Sequence, residues 1–281
     1  MGALPLTETG GSAMVRGGGL GYRSALDGDI RKHTADIDWL ELTADQFFPL
    51  TGHRREKLAE LSGLYPCVTH SLNLSIGGWA PLDMEYLHAV VQAGDAINAP
   101  WFSDHLCFTG DSDVTIGHLA PVSFTRVSAR HVAERAVTVQ RLAQRPLLLE
   151  NITYKFSIGT ELDEAEYIAE VLEQADCGML LDINNLYTNS ISHGYDPLDF
   201  LDRIPMHRVR QMHLAGGRWI DGVLEDSHDA PVRGEVWQLA REAVSRSPVG
   251  AIMIERDSDF PDEFADLLAE VAGARALSTA P

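Results

Sequence analysis

Short apolar runs and longer amphipathic segments alternate along the chain. The runs "GLGYR" (19–23), "IDWLEL" (37–42), "CVTHSL" (67–72), "WFSDHL" (101–106), "PLLLEN" (146–151), "GMLLDI" (178–183), "VRQMHL" (209–214) and "AIMIE" (251–255) are too brief for helices and read as strands. Between them lie stretches with apolar residues at helical spacing. They fall around 25–35 and in "HRREKLAELSGLY", "PLDMEYLHAVVQAGDAIN", "FTRVSARHVAERAVTVQRLAQR" and "DEAEYIAEVLEQAD". A looser one surrounds "DPLDFLDRI", and "GEVWQLAREAVSRS" and "PDEFADLLAEVAGAR" complete the set. Residues 106–122 read as a long loop. Alternating strands and helices predict βαβ units and a parallel sheet. Eight such units in about 260 residues match the count and size of a single (β/α)8 TIM barrel. The predicted layout is a flexible lead-in over 1–18, a barrel domain over 19–275 and a flexible C-terminus over 276–281. An open doubly wound sheet is the alternative. It calls for a Gly-rich phosphate turn after an early strand, and here the glycines of "GGGLGYR" precede the strand.

The strands share one feature: their last residues are polar. Glu41 closes the second, His70 the third, Asp104 and His105 the fourth, Glu150 and Asn151 the fifth. Asp182 closes the sixth, with Asn185 just beyond; His213 closes the seventh and Glu255 the eighth. The stretch "EDSHD" after the seventh adds Asp226 and His228. Singly, each has an ordinary reading as a rim histidine, a helix cap or an ion-pair partner. A barrel, however, gathers its strand C-termini into one mouth. Carboxylates crowded there repel one another unless protonated or neutralised. Arg256 and Arg218 are the nearest cations by sequence. Metal ions are the economical solution, and mixed His and carboxylate donors suit iron, zinc or manganese. So many donors suit two or three ions rather than one. No cysteine is among them, which excludes a structural thiolate zinc site.

Composition narrows the function classes. The formal net charge of −19 disfavours nucleic acid and anionic membranes as partners. No apolar run is long enough to span a bilayer, and the N-terminal stretch does not read as a secretory signal. The three cysteines, Cys67, Cys107 and Cys177, are scattered and odd in number, which fits a reduced cytoplasm and buried apolar roles.

The ordered set His70, His105, Glu150, Asp182, His213, Asp226, His228 and Glu255 resembles the xylose-isomerase-like superfamily, which includes trinuclear zinc endonucleases for abasic DNA. The finer motifs "GLGYR", "DWLEL", "THSLNLSIGG", "SDHLCF", "LLLENITY", "LLDINNLY", "MHLAGG", "DSHDAPV" and "IERD" resemble the DUF692 family of multinuclear non-heme iron oxidative enzymes. The resemblance implies two to three irons per chain, O2 as co-substrate, and a residue, cysteine first, modified in a ribosomally made precursor peptide. It also implies a partner protein that binds the peptide leader, and it allows zinc to replace iron in purified protein. It implies one iron on His70, His105 and Glu150, and a second on Glu150, Asp182, His213 and Glu255. A third would sit on Asn185, Asp226 and His228. Asn185 stands where the DNA-cleaving relatives have His. Asp104, His118 and Asp257 are candidates for proton transfer. One departure is "ADQFF" (Asp45, Gln46), where the family has a Glu-Asn pair; it points to an unusual substrate. A sugar isomerase or epimerase, and an endonuclease-like phosphodiesterase, remain as alternatives on the same barrel.

Overall fold

A computed structural model describes residues 15–111 and 114–278 and closes eight parallel strands into a barrel. The barrel strands are β1 (Gly17–Gly21), β2 (Trp39–Thr43), β3 (Cys67–His70), β4 (Phe102–His105), β5 (Leu147–Glu150), β6 (Gly178–Asp182), β7 (Val209–Leu214) and β8 (Ala251–Ile254). Each pairs with its sequence neighbour, and β1 pairs with β8 to close the ring. The helices outside it are α1 (Asp27–Lys32), α2 (Gly52–Leu64), α3 (Met84–Ala96), α4 (Arg126–Ala143), α5 (Glu164–Ala175), α6 (Ile183–His193), α7 (Pro197–Arg203), α8 (Gly234–Arg246) and α9 (Phe264–Ser278). The predicted barrel is thus the observed one. Its edges move slightly: β1 starts at Gly17 rather than Gly19, and α9 runs past residue 275 to Ser278. The other parts of the predicted tails, 1–14 and 279–281, lie outside the described residues.

The two-residue period of a strand sorts every barrel side chain into one of two environments. Leu40, Leu42, Phe102, Leu147, Leu149, Met179, Leu181, Ile252 and Ile254 join the large core packed under the helices. The alternate positions face the barrel axis. Trp39, Val68, Ala251 and Met253 form a separate apolar plug with Val15, and Trp101 packs against it. Two residues further along the same strands stand Glu41, His70 and Glu255. The plug therefore fills the closed end, and the polar residues form the next layers toward the mouth. Gly19 makes the plug possible: a Cβ there would sit 2.3 Å from the Trp39 ring.

Two segments differ from expectation. The sequence 183–193, "INNLYTNSISH", forms helix α6 directly after β6. Its Asn, Thr and Ser residues are weak helix formers, and tertiary packing overrides them. The Asp182 side chain caps its N-terminus, and Gly194 ends it in the left-handed region. Residues 106–122 are not a plain loop. They carry a β-hairpin of Phe108–Asp111 paired with Val114–Ala120, whose first strand is tied to Ser75 by the Thr109 amide and the Gly110 carbonyl. A second hairpin, Arg218–Ile220 with Val223–Glu225, follows β7.

Beside the mouth, buried Glu164 joins α5 to α6 and to the chain after β5. It accepts hydrogen bonds from Tyr154 Oη, Tyr195 Oη and Asn189 Nδ2, each 3.2 Å long. Burial outweighs these bonds and pushes its carboxyl from the ordinary 4.5 up to about 7. The folded chain thus holds this proton more tightly than the unfolded one. Its stabilising contribution is full below pH 4.5 and is lost as pH rises through about 7. Glu164→Gln should remove a loss on the order of 3 kcal/mol between those limits. Urea unfolding at pH 5 and pH 8 checks this; identical pH dependence in both proteins contradicts it.

Candidate metal centre

The strand register sets the site. His105 lies opposite Glu150 across β4 and β5, and Asp182 lies opposite His213 across β6 and β7. Donor atoms of His70, His105 and Glu150 fall within 4.8 Å of one another. Nε2 of both histidines is 3.5 Å from Glu150 Oε2. A second group joins Glu150, Asp182, His213 and Glu255. There, His213 Nδ1 is 3.4 Å from Glu150 Oε1, 4.0 Å from Asp182 Oδ2 and 3.2 Å from Glu255 Oε2. Glu150 belongs to both groups, with one oxygen toward each.

Asn151 and Asp182 show how the strand ends are locked. Asn151 Oδ1 accepts from the Asp182 amide and its Nδ2 donates to the Asp182 carbonyl, both at 2.9 Å. Asp182 Oδ1 accepts from the Asn185 amide at 2.7 Å as the α6 cap. Asn185 Nδ2 donates to the Asn151 carbonyl at 3.0 Å. Asp182 and Asn185 thereby each keep one oxygen in reserve. Asp182 Oδ2 and Asn185 Oδ1 are buried without a hydrogen-bond partner, and so are Glu150 Oε2 and His213 Nδ1. Buried polar atoms left unpaired are costly and rare. Four of them in one mouth, all of metal-ligating type, fit bound cations.

His228 meets acids on both sides. Its Nε2 lies 2.6 Å from Asp226 Oδ1, which also accepts from Asn184 Nδ2. Its Nδ1 lies 3.4 Å from both Glu255 Oε2 and Asp257 Oδ2, a third group of possible donors. The third donor group thus joins His228 with Glu255 and Asp257, while Asp226, expected beside Asn185 and His228 at a third ion, meets the opposite nitrogen of the ring.

The charges divide accordingly. Burial disfavours the imidazolium at His213, yet the facing Glu41, Glu150 and Glu255 hold it well above its usual range. Burial likewise opposes charge at His228, and Glu255 and Asp226 prevail there. Glu255 ionises well below its usual range, burial being outweighed by His228 and His213. Asp182 goes the other way, pushed well up by burial and by the nearby Asp226 and Glu150. Burial pulls His70 down, and His105 down to about 4, which leaves both neutral and ready to ligate.

Two of the expected proton-transfer residues stand elsewhere. Asp104 has the parity of Phe102 on β4 and takes bonds from Ser71 Oγ (2.7 Å) and the Leu74 amide (3.2 Å), not from the donor groups. It shapes the loop after β3, which Asp45 also pins through Tyr86 and Leu72. His118 is exposed on the first hairpin. The sequence pointed to Arg218 and Arg256, but these pair with Asp229 and Asp259 and with Glu270. At the mouth Arg23, just past β1, binds Glu255 at 3.2 Å and Asp257. Its place in "GLGYR", one strand end like the others, was the available signal.

Residues 17–279 match the family model described as RiPP precursor modification enzyme MbnB/TglH/ChrH. A UPF0276 protein of Acaryochloris marina is 37% identical over 261 residues, covering 92% of this chain and 94% of the relative. Another from Shewanella sediminis is 34% identical over 258 residues, covering 90% and 91%. Among solved structures, D-psicose 3-epimerase of Clostridium cellulolyticum superposes with a TM-score of 0.60 at 13% identity, covering 92% and 94%. A xylose isomerase domain protein of Planctomyces limnophilus gives 0.58 at 13% identity, covering 88% and 91%. At such identities the likeness is one of fold, the xylose-isomerase-like TIM barrel.

The shared carboxylate predicts a measurable asymmetry. Protein loaded anaerobically with ferrous iron should hold about two to three ions per chain. Glu150→Ala should lose more than one of them. Asp104→Asn should keep the full load. Elemental analysis after desalting checks all three; at most one ion in wild type and Glu150→Ala alike contradicts the shared site.

Proposed function

The chain belongs to the family of RiPP precursor modification enzymes MbnB/TglH/ChrH, and on that premise we propose that it is an O2-dependent, multinuclear iron oxidase acting on a precursor peptide. Cysteine is the proposed residue modified. The observation that carries this reading is the pair of buried, cysteine-free donor groups sharing Glu150. His70, His105 and Glu150 would hold one ion, and Asp182, His213 and Glu255 would hold a second with Glu150. Asn185, Asp226 and His228 would hold a third. Iron bound there would supply the oxidation chemistry with O2 that side chains alone cannot. Zinc fits the same donors and would replace iron in purified protein.

The chain's own residues do the rest. The barrel plug of Trp39, Val68 and Met253 keeps water from reaching the donors from below. Arg23 holds Glu255 and Asp257 in place at the open rim. Asp257, with its side chain 44% exposed and Oδ2 3.4 Å from His228 Nδ1, would take a proton from an entering substrate. The two hairpins would wall a groove for an extended peptide. They expose Val114, Ile116 and Leu119 on one, and Trp219 and Ile220 on the other. A partner protein would present the peptide leader, and three free, buried cysteines suit the reducing cytoplasm. Among the described residues no helix is long and apolar enough to cross a membrane.

Turnover of a cysteine-containing precursor peptide, assayed by mass spectrometry with and without candidate partners, should require ferrous iron and stop without O2. Equal turnover without O2 brings back the isomerase or phosphodiesterase. His118→Ala should leave the iron load unchanged and lower turnover several-fold; unchanged turnover removes the hairpin from the groove.

A further inference from the structure

The layer below the donors holds a polar relay that no metal would touch. Glu41 on β2 is buried against β7 from across the barrel. Its Oε2 accepts from Gln211 Nε2 and lies 3.0 Å from His213 Nε2. Gln211 and His213 are two residues apart on β7, so both face the barrel axis. Beneath them Trp101 Nε1 donates to Gln211 Oε1 at 2.8 Å.

The donor directions in this relay are forced. Indole N–H can only donate, so it fixes which end of the Gln211 amide is the oxygen. The Gln211 nitrogen must then donate, and Glu41 Oε2 receives it. Gln211 Nε2 also lies 3.1 Å from His213 Nε2. A bond there would need a bare Nε2, whose lone pair would then face the Glu41 carboxylate at 3.0 Å. Two lone pairs at that distance repel. The proton therefore sits on His213 Nε2, pointing at Glu41, and the two nitrogens are close because they share one acceptor. His213 Nδ1, which has no hydrogen-bond partner, is left facing Glu150, Asp182 and Glu255.

We propose that Glu41 is a positioning residue for the metal centre. By holding the Nε2 proton of His213, it commits Nδ1 as the ligand atom, and the Trp101–Gln211 pair holds Glu41 in turn. The inference rests on the reading of the donor groups as a metal centre. A carboxylate behind a ligating imidazole fixes its tautomer and raises its basicity, and losing such a partner weakens metal binding about 10- to 100-fold.

Zinc, which is diamagnetic, is the probe. The ring nitrogens of His213 are followed by 15N–1H correlation spectra during zinc titration against a competing chelator, which gives an affinity specific to this histidine. The wild type should show zinc displacing the proton at Nδ1 while Nε2 keeps its own. Glu41→Gln should weaken zinc at His213 about 10- to 100-fold without lowering the melting temperature of the metal-free protein, since it removes a buried charge. Trp101→Phe, which frees the Gln211 amide, should give a smaller loss in the same direction, and it decides the matter if Glu41→Gln does not fold. Wild-type zinc affinity in the variant that folds, or a proton on Nδ1 with Nε2 binding zinc, overturns the proposal. If zinc leaves the wild-type His213 ring unchanged, the metal centre itself fails, and the role of Glu41 falls with it.

Discussion

One buried imidazole stands among four carboxylates, and much else follows from that. His213 is fully buried, with Glu41 behind it and Glu150, Asp182 and Glu255 in front. Unneutralised acids this close in a poorly solvated mouth would drive the strand ends apart. Without a bound cation the ring itself carries the compensating proton, which is why it stays charged far above its usual range. That proton occupies the space between donors that a metal ion fits. An ion held by these donors would replace that proton, one cation for another.

The barrel makes this crowding affordable by supplying rigid backbone on every side. Side chains come from adjacent strands at matched levels, as His105 with Glu150 and Asp182 with His213 show. Asn151 and Asn185 then occupy the secondary hydrogen-bonding capacity at the ends of β5 and β6, so the reserved oxygens have no rival partner. The apolar plug underneath and the relay of Trp101, Gln211 and Glu41 above it give the donors a dry and fixed floor.

Much of this was legible in the sequence because one rule carries it: a residue at the C-terminal end of a barrel strand reaches the mouth. Eight apolar runs of the right spacing revealed the barrel, and their polar ends revealed His70, His105, Glu150, Asp182, His213 and Glu255 as one assembly. The rule cannot say which of two adjacent polar residues faces inward unless the parity is known. Asp104 and His105 are neighbours, yet only His105 reaches Glu150, while Asp104 shapes the loop after β3. Helix α6 was hidden because its residues are poor helix formers and its start is set by Asp182 as a cap. Gln211 was missed because its role depends on Glu41 across the barrel, and Arg23 because its partners Glu255 and Asp257 end the neighbouring strand β8; spacing along one strand reports neither. The hairpin within 106–122 was concealed by its glycines and polar residues, which read as loop.

On this reading Glu150 would join two ions in a mouth of nitrogen and oxygen donors. Iron K-edge X-ray absorption on protein loaded anaerobically tests it most directly. The account predicts a first shell of nitrogen and oxygen atoms, no sulfur, and a metal–metal scattering contribution that disappears in Glu150→Ala. Isolated iron with no metal–metal contribution, or a sulfur ligand in the first shell, would contradict it.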